Sequence, residues 1–179
     1  MDGATFLLPV APHIRLELRY ATENNFAHRR LYTVARCLLR DDAARALALV
    51  QHDLEQRGLG LKVFDCYRPL SVQKVLWSIL PDEKYVANPR EGSRHNRGAA
   101  VDLTLVDKRG RELPMPTPFD DFSERAHRDF AALPAEVLRN RALLEAAMAR
   151  RGFIGLPTEW WHFDLRGWER YPVLDVPLK

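Results

Sequence analysis

The segment Ser93–Asp102 places a histidine and an aspartate where the two could bind one metal ion. His95 precedes Asp102 by seven residues, and Asp102 alternates with apolar residues in a run typical of a strand. A carboxylate that is buried in such a strand needs a partner, and a metal ion would supply one. Gly98 would let the chain turn, so that His95 reaches the same point from a loop. The alternative is a loop histidine near a solvent-facing aspartate, and the spacing leaves both interpretations open.

A second candidate is the run Glu159–His162, which reads Glu-Trp-Trp-His. Its aromatic residues favour a strand, and on a regular strand two residues three apart point to opposite faces. Both can serve one site only if Glu159 lies where the strand begins, after a bend at Pro157 and Thr158. His162 would then be a metal ligand and Glu159 a base displaced from the metal. The alternative is an aromatic core strand with a hydrogen-bonded histidine.

The two segments together offer three N and O ligands, namely His95, Asp102 and His162. Three protein ligands leave a fourth tetrahedral position for water, which is the pattern of a catalytic rather than a structural zinc site. Glu159 could accept a proton from that water.

The segment Asp65–Pro69, Asp-Cys-Tyr-Arg-Pro, adds a cation where a predicted strand ends. Arg68 could stabilise an oxyanion there. The alternative is a surface arginine paired with Asp65. Cys66 could be considered as a metal ligand, but its position beside Phe64 favours a small buried thiol, because free cysteine packs well.

The elements that must position these residues mix helices and strands. Hydrophobic periodicity and helix-end signals predict strands over residues 14–18, 61–67, 99–106 and 159–165, and helices from 41 to the glycines at 58 and 60, and over 69–80, 123–130 and 135–150. The loops between strands vary in length, and some strands have no helix between them. We therefore predict an α+β protein with a mainly antiparallel central sheet flanked by helices.

Length and composition indicate one ordinary globular domain. The chain has 179 residues, of which 46% are hydrophobic and 28% are charged, so a single domain over 1–179 is expected. No apolar run approaches the roughly 20 residues that a membrane span needs. The net charge of +3 arises from 27 basic and 24 acidic residues that are dispersed, whereas nucleic-acid binding favours a clustered basic face.

The cysteines and the N-terminus predict a cytoplasmic protein. Two cysteines, Cys37 and Cys66, without CxxC spacing are too few for a disulfide framework. The apolar patch at 6–11 is too short for a signal peptide, and no lysine or arginine precedes it.

Three motifs, in this order, resemble those of the D-alanyl-D-alanine dipeptidase family. They are Asp-x-Tyr-Arg-Pro at 65–69, Ser-x-His-x-x-Gly-x-Ala-x-Asp at 93–102 and Glu-Trp-Trp-His at 159–162. Residues 20–26 and 118–125 also look like family segments, so the resemblance covers most of the chain. Cys66 departs from the glycine or alanine expected at its position.

The resemblance implies a zinc peptidase that hydrolyses the D-Ala-D-Ala dipeptide, on the fold shared with D-Ala-D-Ala carboxypeptidases and the hedgehog signalling domain. It implies one Zn²⁺ per chain, a small dipeptide as substrate, and neither nucleic acid nor membrane as a partner. By position, it implies zinc ligands at His95, Asp102 and His162, a catalytic acid/base at Glu159, a transition-state stabiliser at Arg68, and a substrate-binding group of Asp120, Ser93 and Tyr20.

Two other functions and one other role remain open on the sequence. A peptidoglycan carboxypeptidase or endopeptidase could use the same zinc ligands, and a zinc-stabilised binding module could use the same fold without catalysis. Asp120, which the resemblance assigns to the amino group of the substrate, could instead cap the helix that follows it.

Overall fold

A five-stranded sheet forms the centre of the protein and carries the candidate residues. The computed structural model describes residues 7–179, so Phe6, at the start of the apolar patch, lies outside the described residues. The strands are β1 (Leu7–Pro9), β2 (Arg15–Leu16), β3 (Leu38–Arg40), β4 (Leu59–Asp65), β5 (Ala100–Asp107), β6 (Phe153–Gly155) and β7 (His162–Leu165). The helices are α1 (Asp41–Glu55), α2 (Leu70–Ile79) and α3 (Ala135–Arg150).

The central sheet is mixed, with the order β2-β4-β5-β7-β6. β2 runs parallel to β4, and every other neighbouring pair in this sheet is antiparallel. The α+β class is therefore confirmed, while the sheet has a parallel edge that the sequence did not predict. The parallel pairing is possible because β3 and α1 lie between the two strands in the chain and provide the crossover that parallel neighbours need.

The register of the central strands lines up three polar residues. Asp102 of β5 lies opposite Asp65 of β4 on one side and opposite His162 of β7 on the other. A bulge between Val63 and Asp65 shifts the register of β4 just before this row. Bulges commonly re-aim side chains next to functional sites, and this one brings Asp65 level with the other two residues.

The predicted helices over 41–58, 69–80 and 135–150 are confirmed as α1, α2 and α3. On α1, Leu47, Val50 and Leu54 recur at helical spacing and are buried. In residues 7–179, no helix has both the length and the apolar character needed to cross a membrane.

Three of the predicted elements are shorter than the patterns indicated. The strand over 14–18 covers only Arg15–Leu16, and the strand over 159–165 begins at His162. The helix predicted over 123–130 is wrong, because only a 3-10 turn forms there, at Glu124–Ala126. Beyond this turn the backbone bonds to a distant segment instead of continuing a helix. The N–H of Arg128 donates to the carbonyl oxygen of Pro157 over 2.9 Å.

The free, buried thiol predicted at Cys66 is also wrong, because Cys66 forms a disulfide with Cys37. Both residues are buried, and their Cα atoms are 5.3 Å apart. The two segments meet because the N–H of Tyr67 donates to the carbonyl oxygen of Leu38 over 2.9 Å. The cysteines are 29 residues apart in sequence, so nothing in their spacing announces the pair.

Candidate metal centre and active site

Three side chains from two strands and one loop point their donor atoms at a common position. His95 Nε2 is 3.2 Å from His162 Nδ1 and 3.3 Å from Asp102 Oδ2, and His162 Nδ1 is 3.0 Å from Asp102 Oδ1. Ligands placed tetrahedrally at zinc bond lengths of 2.0–2.1 Å lie about 3.3 Å apart. The donor set and its spacing therefore fit a zinc ion, with protein on three sides.

The turn that the sequence analysis placed at Gly98 brings His95 to this position. Residues His95–Arg97 form a 3-10 turn, and Gly98 follows it with φ 69°. A Cβ on Gly98 would lie 2.6 Å from Leu7 Cδ2, so both the backbone angle and the space require glycine. Asp102 is 3% exposed, and its interpretation as a solvent-facing residue is wrong.

Each histidine ring is oriented by a second partner on its other nitrogen. His95 Nδ1 lies 2.7 Å from the carbonyl oxygen of Cys66, and His162 Nε2 lies 2.8 Å from Asp164 Oδ1. Such outer partners are typical of histidines that bind metals. The nearby histidines outweigh the effect of burial on Asp102 and hold the pKa of its carboxyl well below the usual range.

Glu159 lies beside the three ligands and outside the strand, as the bend at Pro157 and Thr158 predicted. Its Oε2 is 3.8 Å from His162 Nδ1, and the residue is 6% exposed. The following tryptophans fix this turn, since Trp161 is fully buried and Trp160 Nε1 donates to Thr117 Oγ1 over 2.9 Å. Burial raises the pKa of the Glu159 carboxyl to about 7, which is the range suited to a general base near neutral pH.

Arg68 is a buried cation rather than a surface one. Its Nε and Nη2 both donate to Asp65 Oδ2, over 3.0 and 2.6 Å, and its Nη1 donates to Gln73 Oε1 over 2.7 Å. Asp65 Oδ1 in turn accepts from the hydroxyl of Tyr32 over 2.6 Å. Burial opposes the charge of Arg68, but the Asp65 carboxylate raises the pKa of the guanidinium well above its ordinary value. The pairing with Asp65 belonged to the alternative of a surface arginine; here the pair is buried and holds the guanidinium in place.

Tyr20 and Asp120 form a second polar group in the same cleft. The hydroxyl of Tyr20 donates to Asp120 Oδ2 over 2.8 Å, and Asp120 has φ 61°. The helix-capping alternative for Asp120 is wrong, because its carboxylate binds Tyr20 and no side chain of the described residues caps the 3-10 turn at Glu124–Ala126, whose N-cap residue is Ser123. Burial raises the pKa of the Asp120 carboxyl well above its usual value, and the Asp102 and Glu159 charges add to this effect.

All eight residues singled out in the sequence line one cleft of about 630 Å³. Ser93 is there too, and its Oγ accepts from the N–H of His95 over 3.2 Å, which links it to the 3-10 turn. Aromatic side chains and the loop after α2 complete the walls, including Phe26, Phe122, Tyr85, Val86 and Ala87. The cleft is thus lined by both charged and aromatic side chains.

Sequence reasoning missed two residues that support the site. Gln73 is fully buried on α2 and joins Arg68 to the carbonyl oxygen of Ala87, at 2.8 Å from its Nε2. Gln73 is polar and lies among the apolar residues of α2, of which Leu76 is buried and Ile79 is exposed, so no hydrophobic pattern indicated it. Asp164 lies two residues beyond His162, and the two-residue period of a strand, which places both on one face, was the signal that could have identified it.

Comparisons with known proteins match almost the whole chain. A model of the D-Ala-D-Ala dipeptidase family of M15 peptidases matches residues 2–173. The D-alanyl-D-alanine dipeptidase of Escherichia coli (strain K12) is 42% identical over 177 residues, spanning 97% of this chain and 92% of that protein. The D-alanyl-D-alanine dipeptidase of Enterococcus faecium is 31% identical over 200 residues, spanning 99% and 98%. The structure of the LdcB LD-carboxypeptidase shares the fold, at 19% identity and a TM-score of 0.55, over 94% of this chain and 72% of that one.

Proposed function

The chain belongs to the D-Ala-D-Ala dipeptidase family of M15 peptidases, and from this premise we propose that it is a zinc peptidase that hydrolyses D-alanyl-D-alanine to two molecules of D-alanine. The observation that carries the proposal is the convergence of His95 Nε2, His162 Nδ1 and Asp102 within 3.0–3.3 Å beside the carboxylate of Glu159. We assign the whole chain, 1–179, to one catalytic domain.

We propose that His95, Asp102 and His162 hold one zinc ion per chain. A zinc ion in such a site polarises a substrate carbonyl and makes water a stronger nucleophile at neutral pH. The ligand types are those of catalytic zinc sites, which use histidine and carboxylate ligands and keep one position open.

Glu159 is the general base and then the general acid of this reaction. A carboxyl with a pKa of about 7 accepts a proton from the attacking water and delivers it to the amine of the leaving D-alanine. The proton taken in the first step is returned in the second, so Glu159 ends each cycle in its starting state. General acid–base catalysis of this kind contributes about 10²–10⁴-fold in rate.

Arg68 stabilises the negative charge that develops on the carbonyl oxygen of the scissile bond. Its bonds to Asp65 and Gln73 hold the guanidinium in place before substrate arrives. A preorganised cation in a buried site needs no rearrangement as the charge forms, which makes it effective in the transition state.

The pair of Tyr20 and Asp120 binds the free amino group of the dipeptide. Asp120 receives one hydrogen bond, from Tyr20, and no lysine or arginine of the described residues forms an ion pair with it. An ammonium group is the natural partner of such a carboxylate. Ser93, which also lines the cleft, is proposed to contact the substrate near these two residues.

Location and partners form the remaining part of the proposal. We propose a small dipeptide as the substrate and the cytoplasm as the compartment. The Cys37–Cys66 disulfide is relevant to the compartment. Cytosolic proteins usually keep their thiols reduced, so a disulfide is unusual there. Thiol labelling of the protein in intact cells, before and after denaturation, would show in which redox state the pair exists there.

The test is an assay of zinc-loaded protein against D-Ala-D-Ala, L-Ala-L-Ala and a peptidoglycan pentapeptide, with His162→Ala as the ligand variant. We expect cleavage of D-Ala-D-Ala alone, and loss of both zinc and turnover in His162→Ala. Cleavage of the pentapeptide at a higher rate would favour the carboxypeptidase or endopeptidase function. Binding of zinc without hydrolysis of any peptide would favour a zinc-stabilised binding module, and full zinc and full rate in His162→Ala would overturn the ligand assignment.

A further inference from the structure

His162 is held between two carboxylates, one on each ring nitrogen. Its Nδ1 lies 3.0 Å from Asp102 Oδ1 and 3.2 Å from His95 Nε2, so Nδ1 is the nitrogen that faces the proposed zinc position. Its Nε2 points away from that position and lies 2.8 Å from Asp164 Oδ1. A neutral imidazole has one lone pair, and binding through Nδ1 requires that the ring proton be on Nε2.

We propose that Asp164 is the positioning residue that keeps His162 in the form able to bind zinc. The carboxylate of Asp164 accepts a hydrogen bond from Nε2–H. The ring proton therefore stays on Nε2, the Nδ1 lone pair is directed at the metal, and the plane of the ring is fixed. This inference rests on the zinc site proposed above, and it assigns to Asp164 an effect on metal affinity rather than a contact with substrate. Outer partners of this kind commonly change metal affinity by about 10–100-fold.

The sheet builds the place for Asp164. Asp164 is paired with Ala100 of β5 on one side and with Ile154 of β6 on the other, so it lies between two neighbouring strands. The methyl side chain of Ala100 leaves the carboxylate room beside β5. Asp164 is 7% exposed, and a carboxylate with so little access to water requires partners among the surrounding groups.

A cation on the other side of Asp164 completes the arrangement. Arg94 Nε lies 3.7 Å from Asp164 Oδ2, and its guanidinium stacks 4.8 Å from the centre of the Trp168 ring. Arg94 directly precedes the ligand His95 in the chain. One short segment thus supplies both a zinc ligand and the positive charge beside Asp164, the partner of the ligand His162. His95 itself is oriented differently, by the backbone carbonyl of Cys66, and no substitution of a side chain removes that contact.

The experiment measures the zinc affinity of the whole chain by competition with a chelator, for the wild type, Asp164→Asn and Asp164→Ala. We expect Asp164→Ala to bind zinc about 10–100-fold more weakly. The zinc affinity of Asp164→Asn should lie between those of the wild type and Asp164→Ala, because the amide oxygen still accepts the hydrogen bond from Nε2–H but carries no charge. The control is Asp107→Asn at the far end of β5, where Asp107 is paired with Leu59 and lies five residues along the strand from Asp102. The Asp107 carboxylate accepts from Arg111 Nε over 2.8 Å. This control variant should bind zinc as tightly as the wild type.

Two further measurements separate positioning from a merely structural role. The melting temperature of each variant shows whether it folds, and if Asp164→Ala does not fold, Asp164→Asn alone carries the comparison. The visible spectrum of the cobalt-substituted protein reports on the ligand geometry and should change in the Asp164 variants while staying constant in Asp107→Asn. Equal zinc affinity in the wild type and both folded Asp164 variants would overturn the inference. A wild type that binds no zinc would instead overturn the zinc site on which it rests.

Discussion

The cleft has two ends, and each is built around an aspartate. We call the end with His95, Asp102 and His162 the metal end, and the end with Tyr20 and Asp120 the amino end. Asp102 lies on the central strand and is 3% exposed, whereas Asp120 lies on a loop with φ 61°. The neighbouring histidines keep the pKa of Asp102 low, while burial and the charges of Asp102 and Glu159 raise the pKa of Asp120 well above its usual value.

This difference shows how the surroundings assign separate tasks to the same type of side chain. At the metal end, the sheet surrounds the carboxylate with histidines, so it is ionised and suited to a dication. At the amino end, the hydroxyl of Tyr20 is the one side chain of the described residues that donates a hydrogen bond to Asp120, so we expect the ionised carboxylate to need a cation, which the ammonium group of a dipeptide would supply. Environments that drive the pKa values of neighbouring acids apart commonly mark distinct catalytic roles.

The largest expected effect lies at the metal end, in Glu159→Gln. The variant should keep its zinc, because Glu159 stands outside the three converging donors, and should lose at least about 10²–10⁴-fold in kcat. In the wild type, kcat/KM should rise with pH towards the pKa of about 7, because the base acts in its deprotonated form. The positive charge of a bound zinc lowers the pKa of Glu159, so the rise in kcat/KM occurs at a lower pH. Steady-state kinetics over pH 5–9 and metal analysis check both statements.

The control for this change is Glu169→Gln, an exposed residue in the 3-10 turn at Trp168–Arg170. It should change neither zinc content nor rate. A Glu159→Gln protein that loses zinc, yet regains the full rate when zinc is added back, would move Glu159 into the metal coordination shell.

The next effect concerns Arg68, which lies between the two ends. Arg68→Ala should lower kcat by about 10²–10³-fold with little change in KM, because the charge acts mainly in the transition state. Arg68→Lys should recover only part of this rate, since lysine lacks the planar fork of donors that Asp65 and Gln73 bind. Kinetics of both variants with D-Ala-D-Ala make the test.

A stability measurement must accompany the Arg68 variants. Asp65 is fully buried, and removal of the partner of a buried charge costs about 3–5 kcal/mol, so Arg68→Ala should also melt at a lower temperature. Arg68→Lys keeps the charge and isolates the catalytic effect. A raised KM with an unchanged kcat in Arg68→Lys would reduce Arg68 to a substrate-binding residue.

The smallest effect lies at the amino end, in Asp120→Asn. The variant should lose about 10–100-fold in kcat/KM for D-Ala-D-Ala, which corresponds to one charged hydrogen bond. Its kcat/KM for N-acetyl-D-Ala-D-Ala should fall little, because that substrate has no ammonium group. The ratio of kcat/KM for the free dipeptide over the acetylated one should therefore be smaller than in the wild type. Asp121→Asn is the matched control, because it changes the adjacent carboxylate, whose Oδ1 accepts from the N–H of Ser123. An equal ratio in the wild type and Asp120→Asn would show that Asp120 does not bind the amino group of the substrate.

The same variant sharpens the comparison through stability. A carboxyl whose pKa is raised on folding binds protons more tightly in the folded state, so its contribution becomes less favourable as pH rises above the unfolded value near 4. Asp120→Asn removes this cost, and asparagine tolerates the positive φ. The melting temperature of Asp120→Asn, relative to the wild type, should therefore be higher at pH 8 than at pH 4.

Much of the fold and of the site could be predicted because it depends on short stretches of chain. The periods of α1 and α3 were correct, since each helix buries one face whose residues recur every three or four positions. The turn at Gly98 and the start of β7 after Glu159 were also correct, because local bends follow from glycine and proline. The same short motifs supported the family.

Other features depend on contacts between segments that are distant in sequence, and only the tertiary structure decided them. The disulfide of Cys37 and Cys66 joins residues 29 apart, and Gln73 is buried on α2 because Arg68 needs its amide, not because of any hydrophobic period.

The two aspartates of the cleft show the same division. The sequence grouped Asp102 with His95 and His162 through the family motifs, although the spacing of His95 and Asp102 alone left a solvent-facing aspartate open. Only the folded chain decided that Asp120 turns to Tyr20, 100 residues away in sequence, while Asp121 accepts a hydrogen bond from the N–H of Ser123. The physical reason is that local sequence fixes backbone conformation and burial, whereas the charge state and role of a side chain depend on the groups that folding brings around it.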